Sequence, residues 1–162
     1  MTFADRFTTA TAFEGTVLQA LHARGWKAWK FGQGQLPEEC RQFLTRYEDD
    51  ARHPTLIRWF PDILACRDIN GRSSLRLIDV KVCNPKYSNY AIELSALETM
   101  KLIADEFYTP TFFVFDDWGC LSPRDVEQRG KPSPNGPSNG SGTAFLLVER
   151  RYKREFSSIF PG

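Results

Sequence analysis

Asp62, Asp79 and Lys81 are the charged side chains whose types and spacing can do chemistry in this sequence. Each sits beside apolar residues: Asp62 next to Ile63 and Leu64, Asp79 and Lys81 among Leu75, Leu77, Ile78, Val80 and Val82. Between the two runs stands Asn70-Gly71, a dipeptide well suited to a two-residue hairpin turn. Pairing symmetric about that turn sets Asp62 opposite Asp79 on one face, and Lys81, two residues further, shares the face. Cross-strand neighbours have Cβ atoms about 4.5–5.5 Å apart, where two like charges destabilise each other. Lys81 offsets part of that repulsion. A divalent cation offsets it fully, and oxygen-only ligands suit Mg²⁺ or Mn²⁺. The same spacing also fits two acids at exposed strand ends with Lys81 as a plain counter-ion, and a turn longer by one residue would break the register.

Glu14 is a third acid of interest. Residues 9–24 read as a helix capped by Thr9 or Thr11 and ended by Gly25, and its apolar stripe runs through Phe13, Val17, Leu18 and Leu21. Glu14 falls inside that stripe, where a carboxylate is costly unless paired or metal-bound. Its place near the helix start also suits the helix dipole and contact with water.

The remaining elements must position these groups. Residues 26–31 alternate large and charged side chains and suggest a strand. Pro37 with Glu38 and Glu39 opens a helix to about Tyr47. Residues 56–68 and 74–82 form the hairpin strands, 90–107 an amphipathic helix, 111–115 a short buried strand and 144–150 a last strand before a short terminal helix. A flexible loop is expected at about 120–143, centred on the apolar-poor GKPSPNGPSNGSG. This order implies one α/β domain over residues 1–162, with a mixed central sheet flanked by helices.

The 162 residues include 21 basic and 20 acidic side chains, so a general polycation coating nucleic acid is excluded and any anion site comes from local clustering. No apolar run approaches a membrane span, and the N-terminus lacks signal-peptide features, so a cytoplasmic protein without membrane contact is expected. Cys40, Cys66, Cys83 and Cys120 form no CxxC pair and are expected as reduced, mostly buried thiols. Residues 15–37 contain no acid but carry Arg24, Lys27 and Lys30, interleaved with Trp26, Trp29 and Phe31. That pattern suits a backbone-tracking surface with stacking platforms, and equally a strand with buried aromatics and solvated lysines. Arg52, His53 and Arg58 form a second candidate rim. RRYKR at 150–154 is a third basic stretch, which also reads as a solvated terminal helix.

Pro61-Asp62, followed across a hairpin by Asp79-Val80-Lys81, resembles the motif of the PD-(D/E)xK nuclease superfamily. The acidic helix before it, and the helix and apolar strand after it, resemble that superfamily's αβββαβ restriction-endonuclease-like core over residues 9–116. The segment from Ile92 to Phe115 looks like that of small resolvase-like and phage-type members. The resemblance implies Mg²⁺ or Mn²⁺ held by Asp62, Asp79 and the Val80 backbone carbonyl, with Glu14 binding directly or through water. It implies that Lys81 positions or activates the attacking water and stabilises charge on the phosphate. It also implies a further acid from the following helix, Glu93 or Glu98. The function implied is a metal-dependent endonuclease acting on DNA, structure-specific or weakly sequence-specific, in recombination, repair or phage DNA metabolism. The alternative is a catalytically silent nucleic-acid- or protein-binding module of the same fold. A homodimer is compatible with cutting two strands, though no sequence feature specifies one.

Overall fold

The structure is a computed structural model and describes residues 3–51, 57–83, 87–134 and 144–162. Helix α1 (Phe3–Ala23) leads into strand β1 (Lys27–Lys30), helix α2 (Glu38–Ala51) and the hairpin of β2 (Ile63–Ile69) and β3 (Arg72–Lys81). Strand β4 (Asn89–Glu93), helix α3 (Leu94–Glu106), β5 (Thr111–Phe115), β6 (Gly119–Leu121), helix α4 (Pro123–Arg129) and β7 (Lys131–Pro132) follow. The described chain ends with β8 (Phe145–Glu149), a 3-10 turn at Arg150–Tyr152, β9 (Arg154–Glu155) and helix α5 (Phe156–Ile159).

Six strands form the main sheet in the order β1-β2-β3-β5-β6-β9, and a smaller sheet has the order β4-β8-β7. The main sheet is mixed: β1, β2 and β3 are antiparallel, β3 and β5 are parallel, and β6 returns antiparallel. One face packs on α1, with Val17 and Leu21 against Ala28, Ile63, Ala65, Ile78, Val80 and Val114. On the other face, Leu97 and Met100 of α3 pack on Phe113 and Phe115. Strand alternation therefore turns Asp79 and Lys81 towards the α3 face, between residues that bury themselves against α1.

The hairpin has the expected symmetry. Its register runs from Ile69 opposite Arg72 to Ile63 opposite Ile78. Asn70 and Gly71 both have positive φ, 52° and 74°, as a two-residue turn matched to the strand twist requires.

Other boundaries move for reasons local pattern does not carry. Residues 57–59 form a 3-10 turn, and β2 begins only after Pro61 and Asp62. Residues 89–93, expected largely as the first turn of a helix, form β4, because Tyr90 and Ile92 pair with Val148 and Leu146 of β8. Part of the expected loop at about 120–143 is ordered structure: Ser122 and Asp125 form a reciprocal capping box that starts α4 with Pro123 in its first turn. Residues 135–143 of that segment lie outside the described residues. Of the cysteines, Cys120 is buried, Cys66 and Cys83 are partly buried and Cys40 is exposed, so the expectation of mostly buried thiols is corrected.

Replacing Gly71 by Ala puts a Cβ on a left-handed residue, at a cost of about 1–2 kcal/mol. The chemical denaturation midpoint is expected to fall accordingly while the slope stays unchanged. A variant as stable as the parent would show that the turn does not hold this conformation.

Candidate active site at the end of the hairpin

Asp62 continues the β2 register one residue beyond the strand and so lies opposite Asp79. Its Oδ2 accepts a 2.7 Å hydrogen bond from the Val80 N–H, taking the place of a ladder partner past the end of β2. Its backbone is fixed from the other side. The Phe31 N–H donates to the Asp62 carbonyl at 2.7 Å. Next to it, Gly32 has φ of 39°, and a Cβ there would lie 2.8 Å from the Pro61 carbonyl oxygen and 3.3 Å from the Asp62 Cα. Sequence reasoning did not identify Gly32 as a positioning residue. Its one signal is a glycine directly after the β1 pattern, which does not reveal what packs against it.

Asp79 is buried, and Lys81 Nζ lies 2.9 Å from its Oδ2. Apart from that ammonium, the buried Oδ2 has no hydrogen-bond partner. Lys81 is also 3.8 Å from Glu93 at the β4–α3 junction, and its backbone carbonyl accepts from the Asp116 N–H at 3.2 Å. Glu14, on α1, pairs with Lys30 of β1 at 3.1 Å.

The electrostatics follow from this packing. Asp62 keeps some solvent contact, yet burial pushes its carboxyl well above the usual range, and the like charges of Asp79 and Glu14 add to the push. The Val80 N–H and the Lys81 ammonium oppose it. For Lys81, burial works against the charged form, but attraction to Asp79 and Glu93 prevails and holds its pKa above the ordinary lysine value. Lys81 is therefore an ammonium at neutral pH.

Among the described residues, no group of three or more His, Cys, Asp and Glu side chains is gathered closely enough to hold a metal. The donor set is narrower: two carboxylates that repel each other, one with an oxygen lacking any partner but an ammonium. That set fits a hard cation such as Mg²⁺, which commonly takes one or two carboxylates and completes its shell with water and phosphate oxygens.

The remaining candidates separate by position. Glu98 is exposed on α3, unlike Glu93. Lys27 is exposed on β1 beside Trp29 and Phe31, while Trp26 is buried and donates through Nε1 to the Pro161 carbonyl at 3.1 Å. Lys30 is committed to Glu14. Arg24 lies just past α1, towards the end of β1 away from Asp62, donates to the Ala20 carbonyl at 3.1 Å and covers the Phe156 ring. Arg58 pairs with the buried carboxylate of Glu48 and lies over Trp59. Arg52 and His53 lie outside the described residues.

Because the folded Asp62 has a raised pKa, the unfolded chain releases this proton first as pH rises. This group's contribution to stability is therefore greatest at acid pH and declines as pH climbs from about 4 towards its folded pKa. Asp62→Asn keeps an acceptor for the Val80 N–H and removes the repelling charge. Its metal-free melting temperature at pH 7.5 is expected to exceed the parent's, and the gap to close towards pH 4. An Asn variant that melts lower at pH 7.5 would contradict this electrostatic account.

The chain matches no family model and no curated protein. Among solved structures, it is similar to Archaeoglobus fulgidus Hjc, a Holliday junction resolvase from an archaeal hyperthermophile, with a TM-score of 0.57 and 15% identity over 93% of this chain and 94% of that one. It is also similar to D212, a nuclease from a fusselovirus, with a TM-score of 0.45 and 11% identity over 98% of this chain and 90% of that one. The mixed sheet, the helices on its two faces and the likeness to Hjc over nearly the whole of both chains show that this chain shares the fold of Hjc.

Proposed function

We propose that this chain is a metal-dependent endonuclease that hydrolyses DNA phosphodiester bonds, structure-specific or weakly sequence-specific, acting in recombination, repair or phage DNA metabolism. The observation that carries the reading is the convergence of Asp62, Asp79 and the Lys81 ammonium at the buried end of the hairpin. The likeness to a Holliday junction resolvase supports the choice of a DNA substrate.

Asp62 and Asp79 would hold the ion, with the Val80 carbonyl as a further oxygen donor and Glu14 reaching it through water. Bound there, Mg²⁺ or Mn²⁺ supplies a water of lowered pKa and polarises a phosphoryl oxygen. In the metal-free protein Lys81 is an ammonium facing Asp79 and Glu93. Its role is to place a fixed positive charge where negative charge develops on the phosphate. Glu93 and Asp79 orient that ammonium from two sides.

Branched, flapped, single-stranded and linear DNA, each incubated with Mg²⁺, with Mn²⁺ and with chelator, tests the reading. Cleavage is expected with either metal, to be abolished by chelator and to favour the branched or flapped forms. Lys81→Ala is expected to slow single-turnover cleavage by roughly 10²–10³-fold, the scale of removing one preorganised charge stabiliser, with little change in DNA affinity. DNA binding without cleavage of any substrate would instead support the silent module.

A further inference from the structure

A second cluster of charge lies where the main sheet meets β4, beside the strand end that carries Lys81. The turn after β5 begins at Asp116, whose N–H bonds the Lys81 carbonyl, and continues to Asp117. Both Asp117 oxygens lie 2.9 Å from the Tyr90 hydroxyl, and Oδ1 also accepts the Gly119 N–H at 3.0 Å. Two cations face the same carboxylate: Arg150 Nη1 at 3.7 Å and Lys153 Nζ at 3.8 Å from Oδ2. Both distances exceed a hydrogen bond, so the two cations face Asp117 as ion pairs without donating to it.

The 3-10 turn at Arg150–Tyr152 explains why these two residues act together. Lys153 follows the turn as its extended C-cap residue, its N–H bonds the Arg150 carbonyl at 3.1 Å, and both side chains face Asp117. The neighbouring cations are engaged elsewhere: Arg151 with Glu149 and the Tyr152 hydroxyl, Arg154 with Asp125. Arg150 is braced by the Tyr87 carbonyl and by the Tyr90 ring beneath it, yet its buried Nε has no partner. Arg150 and Lys153 are each about one-third exposed, 32% and 30%. The other acid in this turn, Asp116, accepts the Cys83 N–H at 3.0 Å.

We propose that Arg150 and Lys153 form a phosphate-binding site that holds the nucleic-acid backbone beyond the strand end that carries Lys81. Asp117 keeps both cations in place without satisfying either, and a phosphate oxygen supplies the acceptor they lack. Arginine and lysine side by side offer a planar fork and a point charge to the same anion. The proposal rests on the nuclease reading above, and it assigns to RRYKR the two residues that touch the strand and the two that do not.

The test is binding of a labelled four-way junction and a flapped duplex, in chelator, across a range of salt concentrations. For Arg150→Gln with Lys153→Gln, the slope of log affinity against log salt is expected to flatten by about 2, one unit per lost phosphate contact. Arg151→Gln with Arg154→Gln removes the same formal charge and is expected to keep the parent slope. Lys153→Gln alone, which leaves Arg150 and its bond to the Tyr87 carbonyl in place, is expected to flatten the slope by about 1 and serves if the double variant does not fold. Parent-like slopes for the 150/153 variants, or equal flattening by both pairs, would overturn this assignment and leave the nuclease reading standing. A parent protein that binds neither DNA would overturn both.

Discussion

Asp62 and Asp79 repel each other at the end of a hairpin, next to the buried residues Ile63, Ile78 and Val80, and much of the surrounding structure holds them there. The Asn70-Gly71 turn sets the register that brings them opposite each other. The Val80 N–H and the Phe31 N–H pin the side chain and the backbone of Asp62. Lys81 supplies the nearest positive charge to Asp79 and takes a second acid, Glu93, as a weaker partner. Without these constraints the cheaper arrangement would turn one carboxylate out to water, since burial raises the cost of each charge. A site kept under this repulsion is prepared for a cation, because a ligand that relieves it binds the folded chain selectively.

The two faces of the sheet divide the work. The α1 face is packed through Val17, Leu21, Ile78 and Val80, which fixes the strands. The α3 face carries Asp79, Lys81 and Glu93, and its core residues Phe115 and Tyr90 stack at 3.9 Å. Tyr90 thereby joins the smaller sheet to the main one, and its hydroxyl reaches Asp117 beside the second cation cluster. The two charged clusters are linked through the turn after β5, where the Asp116 N–H bonds the Lys81 carbonyl and Asp117 accepts from Tyr90 of β4.

The hairpin and its acids were legible in the sequence because both signals are local: a turn dipeptide and residues placed symmetrically about it. The α1 stripe and the short β5 strand were legible for the same reason. Strand β4 was not, since its partner β8 is more than fifty positions away and five residues alone show no decisive period. The basic residues of β1 were legible as a cluster but not as individuals. Lys30 turns inward to Glu14 while Lys27 stays exposed, and pairing of this kind is decided by tertiary contact. Nor could RRYKR be divided by eye: the 3-10 turn that separates Arg150 and Lys153 from Arg151 and Arg154 appears only in the folded chain.

The account depends most on the carboxylate pair taking a divalent cation. Titration of Mn²⁺ into the protein, read as loss of the free-ion electron paramagnetic resonance signal, measures this directly. Saturable binding by the parent, lost in Asp79→Asn while that variant remains folded, is the result the account predicts. A parent that binds no Mn²⁺, or an Asp79→Asn variant that binds as well as the parent, would contradict it.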